Sequence, residues 1–234
     1  MKDMTGNKKM DKGELIVVCG RPASGRTVFL TTMIRDANSI GIKSQVFSLE
    51  LLSQHIKERI GNEKDIDYSK IEIFDDYKCD NQILERKIRE NVDIVFIDYL
   101  QLLGDDIINK EKKLLELKDI AQRKNVTIIV IGQVSRKMES ILPKERLCVS
   151  WLKKHSNAWE YYLFDSIDRL IYVDRYEKRL NNKKLDDLEK VDVHVVKNKG
   201  TALGTIEYVF KKKPLKFEFT SDSKKVFYER YDGK

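Results

Sequence analysis

GELIVVCGRPASGRTVFLTTMI, residues 13–34, places a continuous apolar run before a glycine-bracketed turn and then a helical pattern. The run LIVVCG has no polar alternation, as expected of a strand covered on both faces of a sheet. The turn, Gly20-Arg21-Pro22-Ala23-Ser24-Gly25-Arg26-Thr27, fits the spacing G-x-x-x-x-G-K-[ST] of a phosphate-binding loop at every fixed position but one. Arginine stands at position 26, where lysine is expected. Gly20 and Gly25 permit the tight turn that lets backbone N–H groups converge on phosphate oxygens. The helix that follows aims its free amides and dipole at the same anion, and Thr27 offers a hydroxyl to a Mg²⁺ bridging the β- and γ-phosphates.

Outward from this stretch, strand and helix patterns alternate. TVFLTTMIRD (27–36) reads as a helix stopped by Asn38 and Gly41, followed by a strand KSQVFSLE and a helix LLSQHIKERI. KIEIFDD reads as a third strand, NQILERKIREN (81–91) as an amphipathic helix and DIVFIDYLQLL as the most apolar strand of the chain. KLLELKDIAQRKN has helical spacing, and VTIIVIGQ is another buried strand. Residues 135–157 break the pattern. DRLIYVDR, a charged connector YEKRLNNKKLDDLEK (176–190), VDVHVVKNKG and GTIEYVFKKKPLKFEF follow, the later strands alternating apolar and polar as antiparallel hairpins do. The fold class is therefore α/β: a mostly parallel sheet with right-handed crossovers and flanking helices, and antiparallel hairpins at the C-terminal end. Residues 1–12 read as a flexible N-terminal arm and residues 13–234 as one domain. Lys211 to Lys213 read as an exposed hairpin edge protected by charge.

Three strand ends carry partners for the phosphate loop. Asp98 closes DIVFID, the position from which a carboxylate holds the metal of a bound nucleotide. Glu50 closes the strand after the loop, where a carboxylate polarises an attacking water. Gln133 closes TIIVIGQ, within reach of a γ-phosphate or of that water. Each alone is an ordinary strand-end residue; together they occupy the carboxyl ends of one sheet, where ligands of open α/β sheets bind.

Composition bounds the rest. The 234 residues are 41% hydrophobic and 35% charged, with 45 Lys+Arg against 38 Asp+Glu and a net charge of +7, which fits either plain solubility or a polyanionic partner. Cys19, Cys79 and Cys148 have no CxxC spacing and read as reduced thiols of a cytoplasmic protein. His55, His155 and His194 are dispersed without metal-ligand spacing. No apolar run approaches the roughly 18 residues of a membrane span, and the N-terminus is polar.

The segments GELIVVCGRPASGRT, VFSLEL, IVFIDYLQLL, LKDIAQRKNVTIIVIGQVSRKME, DRLIYVDRYE and VVKNKGTALGTIEY, in this order, resemble the RecA-like motor domain of the bacterial replicative helicase of the DnaB type. IDYLQLL and the KNK…GT hairpin are particular to that family; RadA- and KaiC-type ATPases share the core but match these segments less well. The resemblance implies a RecA-like P-loop NTPase that uses ATP and Mg²⁺, with Glu50 as catalytic base, Thr27 and Asp98 at the metal and Gln133 as γ-phosphate sensor. It implies a lysine and an arginine finger offered from the late hairpin to a neighbouring subunit, at positions occupied here by Lys197 and Lys199. It also implies a hexameric ring, or association with replicative helicase subunits, around single-stranded DNA, in DNA replication and without a membrane. Two departures stand out. Arg26 replaces the loop lysine, and Lys199 the finger arginine, whose planar fork gives bidentate contact. A trans finger contributes about 10³–10⁵ in rate in related NTPases. The family's LRESG segment is not preserved in WLKKHSNAWEYYLFDSID, where Lys153 and Lys154 stand in place of arginine and glutamate, and with the loop starting at residue 20 the family's collar domain is not expected ahead of it.

Between Lys110 and His155 there are twelve Lys/Arg against five Asp/Glu. Arg136, Lys137, Lys144, Arg146, Lys153 and Lys154 are candidates for tracking a single-strand backbone, with Trp151 either a stacking ring or plain core. Three functions remain open at this stage: an ATP-driven, DNA-translocating helicase; a catalytically weak paralogue that binds nucleotide or helicase subunits as a regulatory or loading factor; and, less supported by the sequence, a RadA-like recombination ATPase.

Overall fold

The apolar run at residues 15–20 is strand β1 (Leu15–Gly20), buried along its whole length. In this computed structural model the described residues are 10–62, 64–76, 79–98, 100, 110–134, 151, 154–155, 165–175, 188–199, 202–212, 215–219 and 225–228. Beyond β1 lie helix α1 (Arg26–Ser39), β2 (Ser44–Ser48), α2 (Ser53–Ile60), β3 (Ile71–Phe74), α3 (Asn81–Lys87), β4 (Ile94–Asp98), α4 (Lys110–Lys124), β5 (Thr127–Gln133) and β6 (Arg169–Asp174). The chain continues with β7 (Leu188–Asn198), β8 (Leu203–Lys212), β9 (Leu215–Glu218) and β10 (Lys225–Tyr228).

The sheet order is β10-β8-β7-β6-β1-β5-β4-β2-β3, with β9 beside the other half of β8. The six strands from β3 to β6 are parallel, and β7 to β10 extend the sheet antiparallel. Alternate residues of β1 feed two cores. Leu15, Val17 and Cys19 face Leu84 of α3 and Leu114, Leu117 and Ile120 of α4, whereas Ile16 and Val18 face Phe29, Leu30 and Met33 of α1 and Ile56 and Ile60 of α2. Each such side chain contributes about 1.5–3 kcal/mol of burial. The helices therefore cover both faces, as expected. Among the described residues no helix is long and apolar enough to cross a membrane.

Several boundaries differ from the sequence reading, each because a tertiary contact overrides local pattern. Asn38 does not stop α1: it is buried within it, donating to the Asp67 carbonyl at 2.9 Å and accepting from Asp67 N at 3.0 Å, and the chain turns at Gly41, with φ +81°. Helix α3 ends at Lys87 rather than 91, because the Gln45 amide donates to the Lys87 carbonyl at 3.0 Å and accepts from Arg89 N at 3.3 Å. Strand β7 starts at Leu188, inside the supposed connector, where buried Glu189 pairs with Arg175. Lys211 lies in β8 between β7 and β9 rather than at an edge and pairs with Glu218; Lys212 is paired with Leu215 of β9, and Lys213 lies outside the described residues. Met10, within the expected N-terminal arm, is buried against the α1 side of the sheet. Cys19 and Cys79 are buried free thiols, and Cys148 lies outside the described residues.

At the amino-terminal edge of the parallel strands, Asp168 gathers several elements. Its carboxylate, 7% exposed as a residue, accepts from Leu15 N at 2.7 Å and from Lys118 Nζ of α4 at 2.7 Å. Lys118 also donates to the Gly13 carbonyl at 2.7 Å. Replacing Asp168 by Ala leaves a half-buried ammonium and a buried N–H unpaired, so Asp168→Ala is expected to lower the unfolding free energy by about 3 kcal/mol in urea titration. A loss below about 1 kcal/mol contradicts this placement.

Candidate nucleotide site

The loop between β1 and α1 closes tightly at both glycines. A Cβ on Gly20 would lie 2.5 Å from Ser24 Oγ and 2.7 Å from the Val173 carbonyl, so no larger residue fits. Gly25 has φ +89° and Ala23 has φ 59°, the alternating left-handed backbone that forms an anion-binding nest. Gly25 is the N-cap of α1 without a side-chain cap, and no acidic residue sits in the first turn. The free amides of that turn thus face a cleft of about 330 Å³ lined by Ala23, Gly25, Arg26, Thr27, Glu50 and Arg59, among others.

Parallel pairing brings the predicted partners to this end of the sheet. Gly20 is level with Gln133, and Ser48 with Asp98. Leu49 N donates to the Asp98 carbonyl at 2.6 Å, which fixes the turn into Glu50. Glu50 is exposed in the cleft, whereas Asp98 is 1% exposed. Among the described residues neither carboxylate oxygen of Asp98 has a hydrogen-bond partner. Burial pushes its pKa up to about 6 and Glu50 adds to this, while the Thr27 hydroxyl and the Arg26 and Arg59 guanidinium groups pull it back. The Thr27 hydroxyl is near Asp98 without completing hydrogen-bond geometry. A desolvated, unpartnered carboxylate beside a hydroxyl fits a divalent cation.

Arg26 does not point its charge only at the cleft. Its Nη1 donates to the Gly132 carbonyl at 2.6 Å, next to Gln133 at the end of β5. The longer side chain thus ties the loop to the neighbouring strand, a bond a lysine ammonium at this position would have to reach differently.

The family model for the DnaB-like helicase C-terminal domain matches residues 3–79 and 77–219. The chain belongs to this family. A probable replicative DNA helicase of Trieres chinensis is 23% identical over 246 residues, covering 88% of this chain and 53% of the relative. A probable plasmid replicative DNA helicase of Chlamydia psittaci is 28% identical over 172 residues, 56% of this chain and 37% of its own length. The chain thus spans about half the length or less of these curated relatives. In fold it is similar to a solved ATPase domain, with a TM-score of 0.72 at 20% identity over 91% of this chain and 86% of the other. A DnaB-like replicative helicase, solved in a study of its interactions with primase, has a TM-score of 0.69 at 20% identity, over 88% of this chain and 57% of the other. These likenesses confirm the RecA-like fold class.

Within this DnaB-like domain the remaining predicted residues are divided. Lys197 and Lys199 are not near the loop. Lys197 is level with Leu170, and Lys199 N donates to the Asp168 carbonyl at 2.9 Å, at the opposite edge of the parallel strands. The length of β1 alone separates Lys199 from Gly20 by roughly 17 Å. The Lys199 ammonium donates to the Asp165 carbonyl at 2.8 Å and lies 3.6 Å from Asp168. Burial lowers the Lys197 pKa, and the Lys199 charge lowers it further. Neither lysine can serve this subunit's own cleft.

Of the DNA candidates, Lys154 is exposed, and Arg136, Lys137, Lys144, Arg146 and Lys153 lie outside the described residues. Trp151 packs against the α4-side core and stacks on His155, with ring centroids 4.1 Å apart. Two cleft arginines escaped the sequence reading. Arg175 pairs with Glu189 and donates to the Ala23 carbonyl at 3.4 Å; as the residue after β6 it sits where strand-end logic would have flagged it. Arg59 lies at the far end of α2, and no spacing signal places it there.

The raised pKa of Asp98 has a consequence for stability. Above about pH 6 the folded state carries the ionised, desolvated carboxylate, a penalty of about 3 kcal/mol, and protonation relieves it as pH falls from 6 toward the ordinary carboxylate range. Asp98→Asn is therefore expected to raise the melting temperature in the absence of Mg²⁺ and nucleotide by roughly 6–12 °C at pH 8. The gain should shrink to about a third of that at pH 4.5. A variant less stable than the parent at pH 8 contradicts the site's electrostatics.

Proposed function

We propose that this chain is the motor domain of a DnaB-like replicative helicase, an ATP-hydrolysing enzyme that moves along single-stranded DNA. The observation that carries this reading is the buried, unpartnered Asp98 beside Thr27, at the carboxyl ends of strands that also present Glu50 and Gln133. Relatives named as replicative and plasmid replicative DNA helicases support it.

On this reading the amides of residues 25–27 cradle the phosphates of ATP, and Thr27 and Asp98 would hold Mg²⁺. The ion, when bound, draws charge from the β- and γ-phosphate oxygens. Glu50, exposed at the cleft wall, takes a proton from the attacking water. Gln133 contacts the terminal phosphate and shares a strand end with the carbonyl that holds Arg26, so phosphate state is passed to β5. Lys197 and Lys199 act on the cleft of an adjacent subunit, since their own is out of reach; this requires a ring or another head-to-tail assembly. Single-stranded DNA lies against the basic residues after Asp98 and Gln133, namely Arg136, Lys137, Lys144, Arg146, Lys153 and Lys154.

One observation favours a second reading, a catalytically weak relative that binds nucleotide or helicase subunits as a regulatory or loading factor. Arg26 is committed to Gly132, and Lys199 lacks the fork of an arginine finger. Steady-state ATP hydrolysis with and without single-stranded DNA separates the two. The motor reading expects DNA-stimulated turnover that falls at least about 100-fold in Glu50→Gln. No turnover in the parent, with turnover gained in Arg26→Lys, supports the weak relative and rejects the motor.

A further inference from the structure

A cleft of about 350 Å³ opens where β2 and β3 begin, lined by Lys43, Ser44, Gln45, Lys70, Glu72, Arg89 and Asn91, among others. It is not the nucleotide cleft, and none of these residues lines both. Ser44 starts β2, and Ser48, level with Asp98, ends it, so roughly 13 Å of strand separates the two.

Most charges around this cleft are already paired. Glu72 accepts from Arg89 Nε at 2.8 Å and from the Gln45 amide at 2.7 Å, and Gln45 Oε1 accepts from Arg89 N at 3.3 Å. Lys70 Nζ lies 3.1 Å from Asp67, and neighbouring Asp93 lies 3.0 Å from Lys12 Nζ. Lys43 is held through its backbone instead. Asp93 N and Ile94 N donate to its carbonyl at 3.0 and 3.3 Å, and its own N donates to the Asp93 carboxylate at 3.3 Å.

Several donors are left over. Among the described residues the exposed Lys43 ammonium and the Asn91 amide have neither a hydrogen bond nor an ion pair, and Arg89 Nη1 has no hydrogen bond. The Ser44 hydroxyl, on a residue 2% exposed, is likewise without a partner. A buried hydroxyl rarely goes unbonded in a native protein.

We propose that this cleft binds a tetrahedral phosphate group, from a free phosphate ion or from a phosphodiester of a nucleic-acid strand. Lys43 supplies the charge its neighbours leave unbalanced, and Ser44, Asn91 and Arg89 Nη1 supply directional donors. Donors on this many side chains outnumber the two oxygens of a carboxylate and suit a phosphate. One unbalanced positive charge matches the single negative charge of a diester and the singly charged form of the free ion.

The test is titration of inorganic phosphate, and separately of a short oligothymidylate, into the isotope-labelled parent, Lys43→Gln and Ser44→Ala. Amide NMR follows binding, and thermal unfolding checks the fold. Ser44→Ala should be as stable as the parent, because its hydroxyl has no partner to lose. Saturable shifts of the Lys43, Ser44 and Asn91 signals are expected in the parent. Lys43→Gln should weaken binding about 10–100-fold and Ser44→Ala about 2–10-fold. Saturation by phosphate alone identifies the free ion, and saturation by the oligonucleotide at a lower phosphate-group concentration identifies the strand; either bears the site out. Signals that neither titrant moves, or an affinity unchanged in Lys43→Gln, overturn the proposal. Residues 20–27 in the same spectra report on the phosphate loop, so failure of one site is seen separately from failure of the other.

Discussion

A carboxylate withdrawn from water and given no donor is unfavourable unless something else neutralises it. Asp98 is such a group, and the arrangement around it follows from where β4 ends. Parallel pairing of β2 on β4 and of β5 between β4 and β1 puts Ser48, Asp98, Gln133 and Gly20 at one edge of the sheet. The loop then turns through positive-φ Ala23 and Gly25 to bring Thr27 to the carboxylate. A chain that kept this geometry only as inherited scaffolding would gain stability by neutralising Asp98.

The sheet's polarity also explains why the predicted catalytic set is split. Strand β7 runs antiparallel to β6, so its C-terminal end, with Lys197 and Lys199, lies at the amino-terminal edge of the parallel strands. There Asp168 draws in Leu15, Lys118 and Lys199 together. The cleft and the two lysines are therefore on opposite edges of the sheet. Arg26 adds a second peculiarity, a side chain that ties the loop to β5 rather than standing free over the phosphates.

Much of this was legible in the sequence. The run LIVVCG and the spacing from Gly20 to Thr27 specified strand, loop and helix, and the expected strand ends at Asp98 and Gln133 are where β4 and β5 stop, whereas β2 ends at Ser48 and Glu50 lies two residues beyond it. Periodicity failed where long-range side chains intervened: Gln45 terminates α3, Asn38 bonds across to Asp67, and Arg175 recruits Glu189 into β7. Arg59 was illegible for a related reason. Its place depends on how α2 packs against α1 and on the Arg35 bonds to its last turn, neither of which a local pattern encodes.

The most direct test of the account is the Mg²⁺ dependence of ATP binding by calorimetry in the parent and in Asp98→Asn at pH 8. If Asp98 is the metal carboxylate, Mg²⁺ tightens ATP binding about tenfold or more in the parent, and the variant loses that gain while still folding. Equal ATP affinity with and without Mg²⁺ in the parent, or a gain that survives in Asp98→Asn, contradicts it.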